Sequence, residues 1–376
     1  MKIAVLKERA ENETRVAAVP ETVKKLTGLG FDVAVETGAG DASYLLDDAF
    51  KEVGATIVGS ATEALKDADL VFKVRAPSDE ELGQMKSGAK LLAILNPYND
   101  AEGLQKYAKA GIEAFAMELM PRITRAQSMD VLSSQSNLAG YKAVLDACAV
   151  FHRALPMMMT AAGTIAPAKV MVMGAGVAGL QAIATAKRLG AVVSATDVRP
   201  AAKEQVESLG GTFVMVESDE TKDAETSGGY AKEMSEEYKK AQAELIAETL
   251  KKQDIAICTA LIPGRPAPVL ITEEMVKSMK PGSVIVDLAV EQGGNCPLSK
   301  PGEIVEAHGV KIIGHENVPG RLSADASSLY ARNLLNFVTP LVDGETKQLT
   351  IDWEDEIITG TALTKDGAVV HAQFKQ

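Results

Sequence analysis

The segment PRITRAQSMDVLSSQS, residues 121–136, carries a dense run of hydrogen-bonding side chains between two apolar segments. It contains arginine, glutamine, aspartate and serine, but no histidine or cysteine. Such side chains can hold a polar ligand in place, whereas proton transfer near neutral pH most often uses histidine. A helix is predicted over 133–151, and Ser133 or Ser134 could cap it. Two interpretations therefore stay open, a ligand-positioning loop and a polar entry to a helix between domains.

A glycine motif marks the best-defined candidate site. Gly174, Gly176 and Gly179 form G-x-G-x-x-G between an apolar strand (168–173) and a helix (177–190). In a dinucleotide-binding turn, the first glycine permits the tight turn and the second lets the backbone approach the pyrophosphate. The third lets helix and strand pack closely. The strand–turn–helix context makes this match specific, although the glycines could also serve only to turn the chain.

An acidic residue follows the motif at the expected distance. Asp197 ends the next predicted strand, 23 positions after Gly174, and a spacing of about 20 is typical. Its carboxylate would accept hydrogen bonds from the adenosine ribose and repel a 2′-phosphate, which favours NAD(H) over NADP(H). Arg199 leaves NADP(H) as an alternative cofactor, because a nearby arginine can accommodate that phosphate.

Strands that alternate with helices predict the framework that positions these residues. The alternation runs over 1–120 and begins again at 168, which is typical of parallel sheets covered on both faces. We predict an α/β fold with two Rossmann-like parallel-sheet domains, the first discontinuous, joined by long helices with a cleft between them. The predicted bounds are 1–132 completed by 306–376 for the first domain, 133–305 for the NAD(H)-binding domain, 133–151 and 324–342 for the long helices, and 347–360 for a β-hairpin.

Composition excludes several other classes of function. The 376 residues carry a formal charge of −12, which disfavours nucleic acid and anionic lipid as partners. The three cysteines are far apart and form no C-x-x-C pair, as expected for reduced thiols in a cytosolic protein. The four histidines lack metal-ligand spacing, so no metal site is predicted. No apolar run approaches the roughly 18 residues of a membrane span.

Three further features allow a functional and a structural interpretation. Arg15 and Lys73 lie near strand ends, where they could hold a substrate carboxylate, or else be surface charges or form an ion pair between the two lobes. The acidic insert 217–240 contains Tyr230 beside two glycines, and it is either a lid over bound nucleotide or a solvated loop. The segment TALIPGRPAP, residues 259–268, follows a strand and would either face the nicotinamide or act as a rigid connector.

Several long motifs resemble those of one family over essentially the whole chain. They are PRITRAQSMDVLSSQSNLAGYKAV, PMMMTAAGT, GVAGLQAIATAKRLGAVVSATDVR, GGYAKEM, TALIPGRPAPVLIT and DLAVEQGGNCPL. The chain is similar to the NAD(H)-binding component, domain I of the alpha subunit, of proton-translocating nicotinamide nucleotide transhydrogenase. It would be either a separate subunit or one domain of a longer chain.

The resemblance implies an enzyme that transfers hydride between NAD(H) bound here and NADP(H) bound by a partner component. A membrane-spanning component would couple the transfer to proton translocation. The chain would form a homodimer and attach to the cytoplasmic side of the inner membrane through the complex. The residues implied in hydride transfer are Arg122, Gln127, Asp130, Ser133 and Tyr230. The cofactor-binding residues implied are Gly174, Gly176, Val177, Ala178, Gly179, Asp197, Val198, Arg199, Gly229, Thr259, Ala260 and Leu261.

Alanine dehydrogenase, which shares the fold, is the alternative family. Its substrate-binding arginine and lysine correspond to Arg15 and Lys73, but its catalytic histidine corresponds to Asn96 in LLAILNPYN. Amino-acid oxidation needs a titrating group near neutral pH, and asparagine cannot supply one. A non-catalytic NAD(H)-sensing module is a third interpretation, because the glycine motif alone would permit it.

Overall fold

The computed structural model describes residues 1–199, 201–216 and 235–375, except the side chain of Lys239. The chain divides into two compact units. The first consists of Met1–Gln135 together with Gly320–Gln376, and the second consists of Ser136–Pro319.

The first unit is built on a parallel sheet with helices in the connections. Its strands are β1 (Lys2–Val5), β2 (Asp32–Glu36), β3 (Thr56–Val58), β4 (Leu70–Arg75), β5 (Lys90–Ile94) and β6 (Glu113–Ala116). Its first helices are α1 (Pro20–Gly28), α2 (Asp47–Lys51), α3 (Ala61–Leu65), α4 (Asp79–Gln84) and α5 (Ala101–Lys109). The strand order β3-β2-β1-β4-β5-β6 is that of a Rossmann-type sheet.

Burial on both faces of this sheet explains its continuous apolar strands. Ile3 and Val5 pack into one cluster of buried residues, whereas Ala4 and Leu6 pack into another. Successive side chains of a strand point to opposite faces, so a strand covered on both sides needs apolar residues at every position. Short polar signals start the covering helices. In α4, for example, the Ser78 hydroxyl accepts from the Glu81 amide at 3.2 Å.

The second unit contains the glycine motif. Helix α6 (Val131–Val150) leads into it, and a hairpin of β7 (Met158–Thr160) and β8 (Gly163–Ile165) follows. The main sheet has the order β11-β10-β9-β12-β13-β15-β14, parallel except for β14. Its strands are β9 (Lys169–Met173), β10 (Val192–Thr196), β11 (Thr212–Phe213), β12 (Ile255–Cys258), β13 (Val284–Asp287), β14 (Ile304–Ala307) and β15 (Val310–Ile313). The helices are α7 (Val177–Arg188), α8 (Ala201–Ser208), α9 (Glu236–Leu250) and α10 (Glu273–Ser278).

The final segment of the chain returns to the first unit. It contains α11 (Ser323–Val338), α12 (Glu356–Thr361), and a short hairpin of β16 (Thr364–Lys365) and β17 (Ala368–Val369). Tyr330 and Leu334 of α11 are fully buried in the same cluster as Ile3 and Val5. This helix therefore completes the core of the first unit.

The α/β prediction, with parallel sheets and a discontinuous first unit, is confirmed, but two details of the predicted layout are corrected. The second unit extends to residue 319 rather than 305, because β15 pairs in parallel with β13 and adds a further strand to that sheet. The predicted hairpin over 347–360 is instead a loop followed by α12. Asp355 caps that helix by accepting from the Ile357 amide at 2.7 Å, which explains why the chain turns helical there.

Candidate nucleotide site and polar segment

The turn between β9 and α7 has the geometry expected of a dinucleotide-binding turn. Gly174 has a φ of 102°, a conformation that favours glycine. A Cβ atom on Gly179 would lie 1.8 Å from the Gly174 carbonyl oxygen, and one on Gly174 would lie 2.5 Å from Thr259 Oγ1. Packing within the protein therefore requires glycine at both positions.

Gly176 differs from the other two glycines. A Cβ atom built on it would have no heavy atom of the described residues within 4 Å. Its position before the first turn of α7 places it where orphan backbone amides and the helix dipole favour an anion. Of the two residues that follow it, Val177 is exposed and Ala178 is partly exposed. The open space beside Gly176 fits the approach of a pyrophosphate to the backbone.

A fourth glycine, which the sequence motif does not include, packs against the same turn. Gly140 of α6 lies so close to α7 that a Cβ atom on it would be 2.0 Å from the Ala178 carbonyl oxygen. Sequence reasoning missed this residue because its partner lies 38 positions away, and nothing local marks the contact.

Asp197 lies just beyond β10, beside the turn, and its carboxylate is already well bound. It accepts from the Ala175 amide at 2.7 Å, and from the Arg199 amide and Nε at 2.8 and 2.9 Å. Arg199 Nη2 lies 2.9 Å from the other carboxylate oxygen. Burial raises the pKa of Asp197, but the hydrogen bonds from Arg199 and Ala175 outweigh it and hold the pKa below its ordinary value. Arg199 therefore lies against the carboxylate that ribose hydroxyls would use.

The loop after β12 is attached to the turn and to a buried amide. The Thr259 hydroxyl donates to the Gly174 carbonyl at 2.9 Å. The Asn295 side chain is fully buried, and it accepts from the Ala260 amide at 3.2 Å and donates to the Ala260 carbonyl at 2.9 Å. Leu261 is 40% exposed. Sequence reasoning missed Asn295 as the residue that holds this loop, although the polar EQGGN run in which it lies was visible.

In the first unit, the polar segment forms a 3₁₀ helix over Thr124–Met129. Ala126 and Met129 are buried, whereas Gln127 and Arg122 are exposed. Helix α6 begins at Val131, two residues earlier than predicted.

The cap of α6 is also corrected. Asp130 accepts from the Ser133 amide at 2.9 Å and from the Ser133 hydroxyl at 2.5 Å. It therefore caps the helix, in place of Ser133 or Ser134.

Arg125 donates from both terminal nitrogens to the Asp355 carboxylate, each at 2.8 Å.

Arg15 and Lys73 belong to a buried network of opposite charges. Arg15 donates to both carboxylate oxygens of Glu13 at 2.7 Å, and Lys73 Nζ lies 3.4 Å from Glu8 and from Glu81. Burial raises the pKa of Glu13, yet the hydrogen bonds and charge of Arg15 outweigh it and bring the pKa to about 2. The cations predicted as candidates for a substrate carboxylate thus have carboxylate partners within the protein.

A carboxyl group lies beside Asn96, which we predicted to occupy the position of the catalytic histidine of alanine dehydrogenase. Glu118 Oε1 accepts from the Leu95 and Asn96 amides at 2.8 and 2.5 Å. Its second oxygen is buried and makes no hydrogen bond to the described residues. Burial is the main cause that raises the pKa of Glu118 to about 7, against the lowering effect of these amides. A group that titrates near neutral pH is therefore present here, and no local sequence pattern marks it.

The remaining predicted residues lie outside the described parts of the chain. Gly229 and Tyr230 fall within 217–234, beyond the described residues. The described parts of the chain contain no cluster of histidine, cysteine and carboxylate side chains that could hold a metal ion. Nor do they include a helix with the length and apolar character needed to cross a membrane.

Comparison with known proteins identifies the family. Residues 4–139 match "Alanine dehydrogenase/PNT, N-terminal domain" and residues 143–372 match "Alanine dehydrogenase/PNT, C-terminal domain". The chain belongs to the alanine dehydrogenase/PNT family.

Within this family, the chain is more similar to transhydrogenases than to alanine dehydrogenase. It is 62% identical to an NAD(P) transhydrogenase alpha-subunit chain of Rhodospirillum rubrum, over 99% of this chain and 98% of that protein. The crystal structure of transhydrogenase from Sinorhizobium meliloti is 56% identical, with a TM-score of 0.90 over 98% of this chain and 100% of that one. A solved L-alanine dehydrogenase is 26% identical, with a TM-score of 0.82 over 100% of this chain and 98% of that one.

Proposed function

We propose that this chain is the NAD(H)-binding component of a proton-translocating transhydrogenase. It passes hydride between NAD(H) bound here and NADP(H) on a partner component, and a membrane-spanning component couples the transfer to proton translocation. The observation that carries the proposal is the glycine turn, with space beside Gly176 that no described residue fills and with Asp197 next to it. It occurs in a chain 62% identical to a transhydrogenase subunit.

The residues of the second unit would hold NAD(H) along its length. The backbone of 174–179 binds the pyrophosphate at the start of α7. Asp197, with Val198 and Arg199 beside it, binds the adenosine ribose. The loop 259–261 contacts the nicotinamide half. The bound cofactor supplies the nicotinamide ring that carries the hydride.

The polar segment would position that ring. Hydride exchange between two nicotinamides needs no proton at the reacting carbons, but it needs the two rings held at near-attack distance. Arg122, Gln127 and Asp130 would bind the nicotinamide ribose, phosphate and carboxamide and help to seat the partner component. Ser133 supports them through its hydrogen bonds to Asp130.

The proposal is tested by mixing the chain with the NADP(H)-binding component and following NADH oxidation against an NADP analogue. We expect transfer only when both components are present. Gln127→Asn at saturating NADH should transfer hydride more slowly, because the shorter side chain misplaces the amide. An undiminished rate would rule out the positioning role of Gln127. NADH binding without any transfer by the wild-type mixture would support a sensing module instead.

Alanine dehydrogenase activity is the second candidate, and Glu118 is the observation that favours it. Its pKa of about 7 would suit a general acid or base. Against it, Arg15 and Lys73 have carboxylate partners within the protein. The test is formation of NADH from L-alanine and NAD by this chain alone. We expect none, and clear turnover would replace the transhydrogenase proposal.

A homodimer and attachment to the cytoplasmic side of the inner membrane, through the complex, complete the proposal. The hairpin of β7 and β8 supports the dimer, because Met158 and Met159 of β7 are 41% and 78% exposed, and Met157 just before it is 59% exposed. Exposed apolar residues that cluster on one element are typical of an interface. Replacing Met157, Met158 and Met159 by serine should shift the sedimenting species from dimer toward monomer. A dimer of unchanged stability would place the interface elsewhere.

A further inference from the structure

Two amide side chains of α11 converge on a single carbonyl of the polar segment. Asn333 Nδ2 donates to the Ser128 carbonyl at 2.9 Å, and Asn336 Nδ2 donates to the same oxygen at 3.0 Å. The two asparagines are three residues apart, so they share one face of the helix. A carbonyl oxygen has two lone pairs and can accept both bonds. Ser128 directly follows Gln127.

Asn333 also binds the helix that follows the segment. It is buried, with 6% exposure, and its Oδ1 accepts from the Ser134 hydroxyl at 2.7 Å. Because its two ends are engaged at once, the Asn333 amide cannot rotate without losing both hydrogen bonds. It therefore fixes the distance between Ser128 and the first turn of α6. Asp130 lies between these two points.

The backbone on both sides of Gln127 is thus held. Ala126 is fully buried on one side, and Ser128 is bound by the two asparagines on the other. The Gln127 side chain itself is exposed. A polar side chain thus extends to the surface from a backbone that is held on both sides, as a residue that orients a ligand requires.

We infer that Asn333 and Asn336 are positioning residues, which set Gln127 and Asp130 for hydride transfer without touching the cofactor. The inference rests on the proposed function of the polar segment. Nothing in the local sequence links the asparagines to Gln127, because they lie about 200 positions further along the chain. A misplacement of about 1 Å at such a site costs up to roughly 100-fold in rate.

The test compares Asn333→Ala/Asn336→Ala with the two single variants in the mixed-component assay. We expect the double variant to lower the maximal rate of hydride transfer by about tenfold or more, while its Kd for NADH changes far less. Each single variant should lose only about threefold, since one donor remains on the carbonyl. Asn333→Ala/Asn336→Gln restores one donor and should transfer faster than the double alanine variant.

A matched control lies on the same helix. Arg332 is adjacent to Asn333 but pairs with Glu21 at the surface, at 2.6 Å. Arg332→Ala should leave hydride transfer unchanged. Thermal unfolding and NADH titration of every variant separate lost positioning from lost folding. If the double variant fails to fold, Asn336→Ala and Asn336→Gln decide, because residue 336 is partly exposed. A loss with alanine that glutamine rescues supports the inference, and a wild-type rate with alanine overturns it.

The remaining outcomes separate this inference from the function on which it rests. If Gln127→Ala is slow while the folded double variant transfers at the wild-type rate, the positioning role is overturned and the proposed function stands. A raised Kd for NADH with an unchanged maximal rate would also overturn it, since that shows binding rather than positioning. If the wild-type mixture shows no transfer at all, the proposed function itself fails.

Discussion

The glycine turn of the second unit and the polar segment of the first unit are built in opposite ways. The turn is defined by sterics, because Gly174 and Gly179 lie where a Cβ atom would collide with the protein. The polar segment is defined by side chains from distant parts of the sequence, among them Asn333 and Asp355. The G-x-G-x-x-G spacing of the turn is visible in the local sequence, whereas contacts between distant residues, such as the hydrogen bonds of the polar segment and the contact of Gly140 with α7, are not.

The largest expected effect is that of adding a methyl group where the glycine turn has no space for one. In Gly179→Ala, the new methyl group would lie 1.8 Å from the Gly174 carbonyl oxygen, so the turn must move. We expect a loss of at least about 3 kcal/mol in the free energy of unfolding, together with loss of NADH binding. Chemical denaturation and NADH titration measure the two effects.

Gly176→Ala is the matched control, because its methyl group would have none of the described residues within 4 Å. Its free energy of unfolding should stay near that of the wild type, while NADH binds more weakly because the methyl group occupies the space of the pyrophosphate. If Gly176→Ala lost as much stability as Gly179→Ala, then Gly176 too would be required for packing, rather than for the approach of the ligand.

A second prediction concerns Glu118, a buried carboxyl group of the first unit. Glu118 has a pKa of about 7 in the folded chain, whereas an unfolded glutamate has a pKa of about 4.3. The folded state therefore binds more protons between these values, so the stability from this group is present at low pH and is lost as pH rises toward 7. Glu118→Gln should remove that loss and be more stable than the wild type above pH 7, by about 3 kcal/mol.

The measurement is denaturation of both proteins from pH 5 to pH 8. The advantage of the glutamine variant over the wild type should grow as the pH rises. A constant difference would show that Glu118 does not titrate in this range. The alanine dehydrogenase alternative would then lose its supporting observation.

A third prediction tests the acid beside the turn. Asp197→Asn keeps the shape of the side chain but removes the charge that binds Arg199 and would bind ribose hydroxyls. We expect the Kd for NADH to rise about tenfold, with a smaller change in stability. Arg199→Leu, in contrast, frees Asp197 and should not weaken NADH binding as much. Weaker binding in the arginine variant than in the aspartate variant would assign recognition of the ribose to Arg199.

The same contrast explains what the sequence could predict. The alternation of strands and helices, the glycine turn and Asp197 all depend on neighbours in the sequence, and the structure has each of them where expected. The capping role of Asp130, the Arg125–Asp355 pair, Asn295 and Glu118 depend on partners or on burial that tertiary structure alone creates. The place of β14 and β15 in the second sheet depends on the pairing of β15 with β13, which is a tertiary contact. The roles of Arg122, Gln127 and Asp130 remain predictions.

The smallest expected effect concerns the ion pair that Arg125 of the polar segment forms with Asp355. Arg125 and Asp355 form a geometrically good pair, but their side chains are 53% and 28% exposed, and exposed pairs contribute little. If the contacts of Asn333 and Asn336 position the segment, then Arg125→Ala should unfold at the same denaturant concentration as the wild type and transfer hydride at the same rate. Asp355→Ala should cost more stability than Arg125→Ala, because Asp355 also caps α12. A slow Arg125→Ala variant with unchanged stability would mean that the exposed pair, rather than the two asparagines, sets the geometry of Gln127.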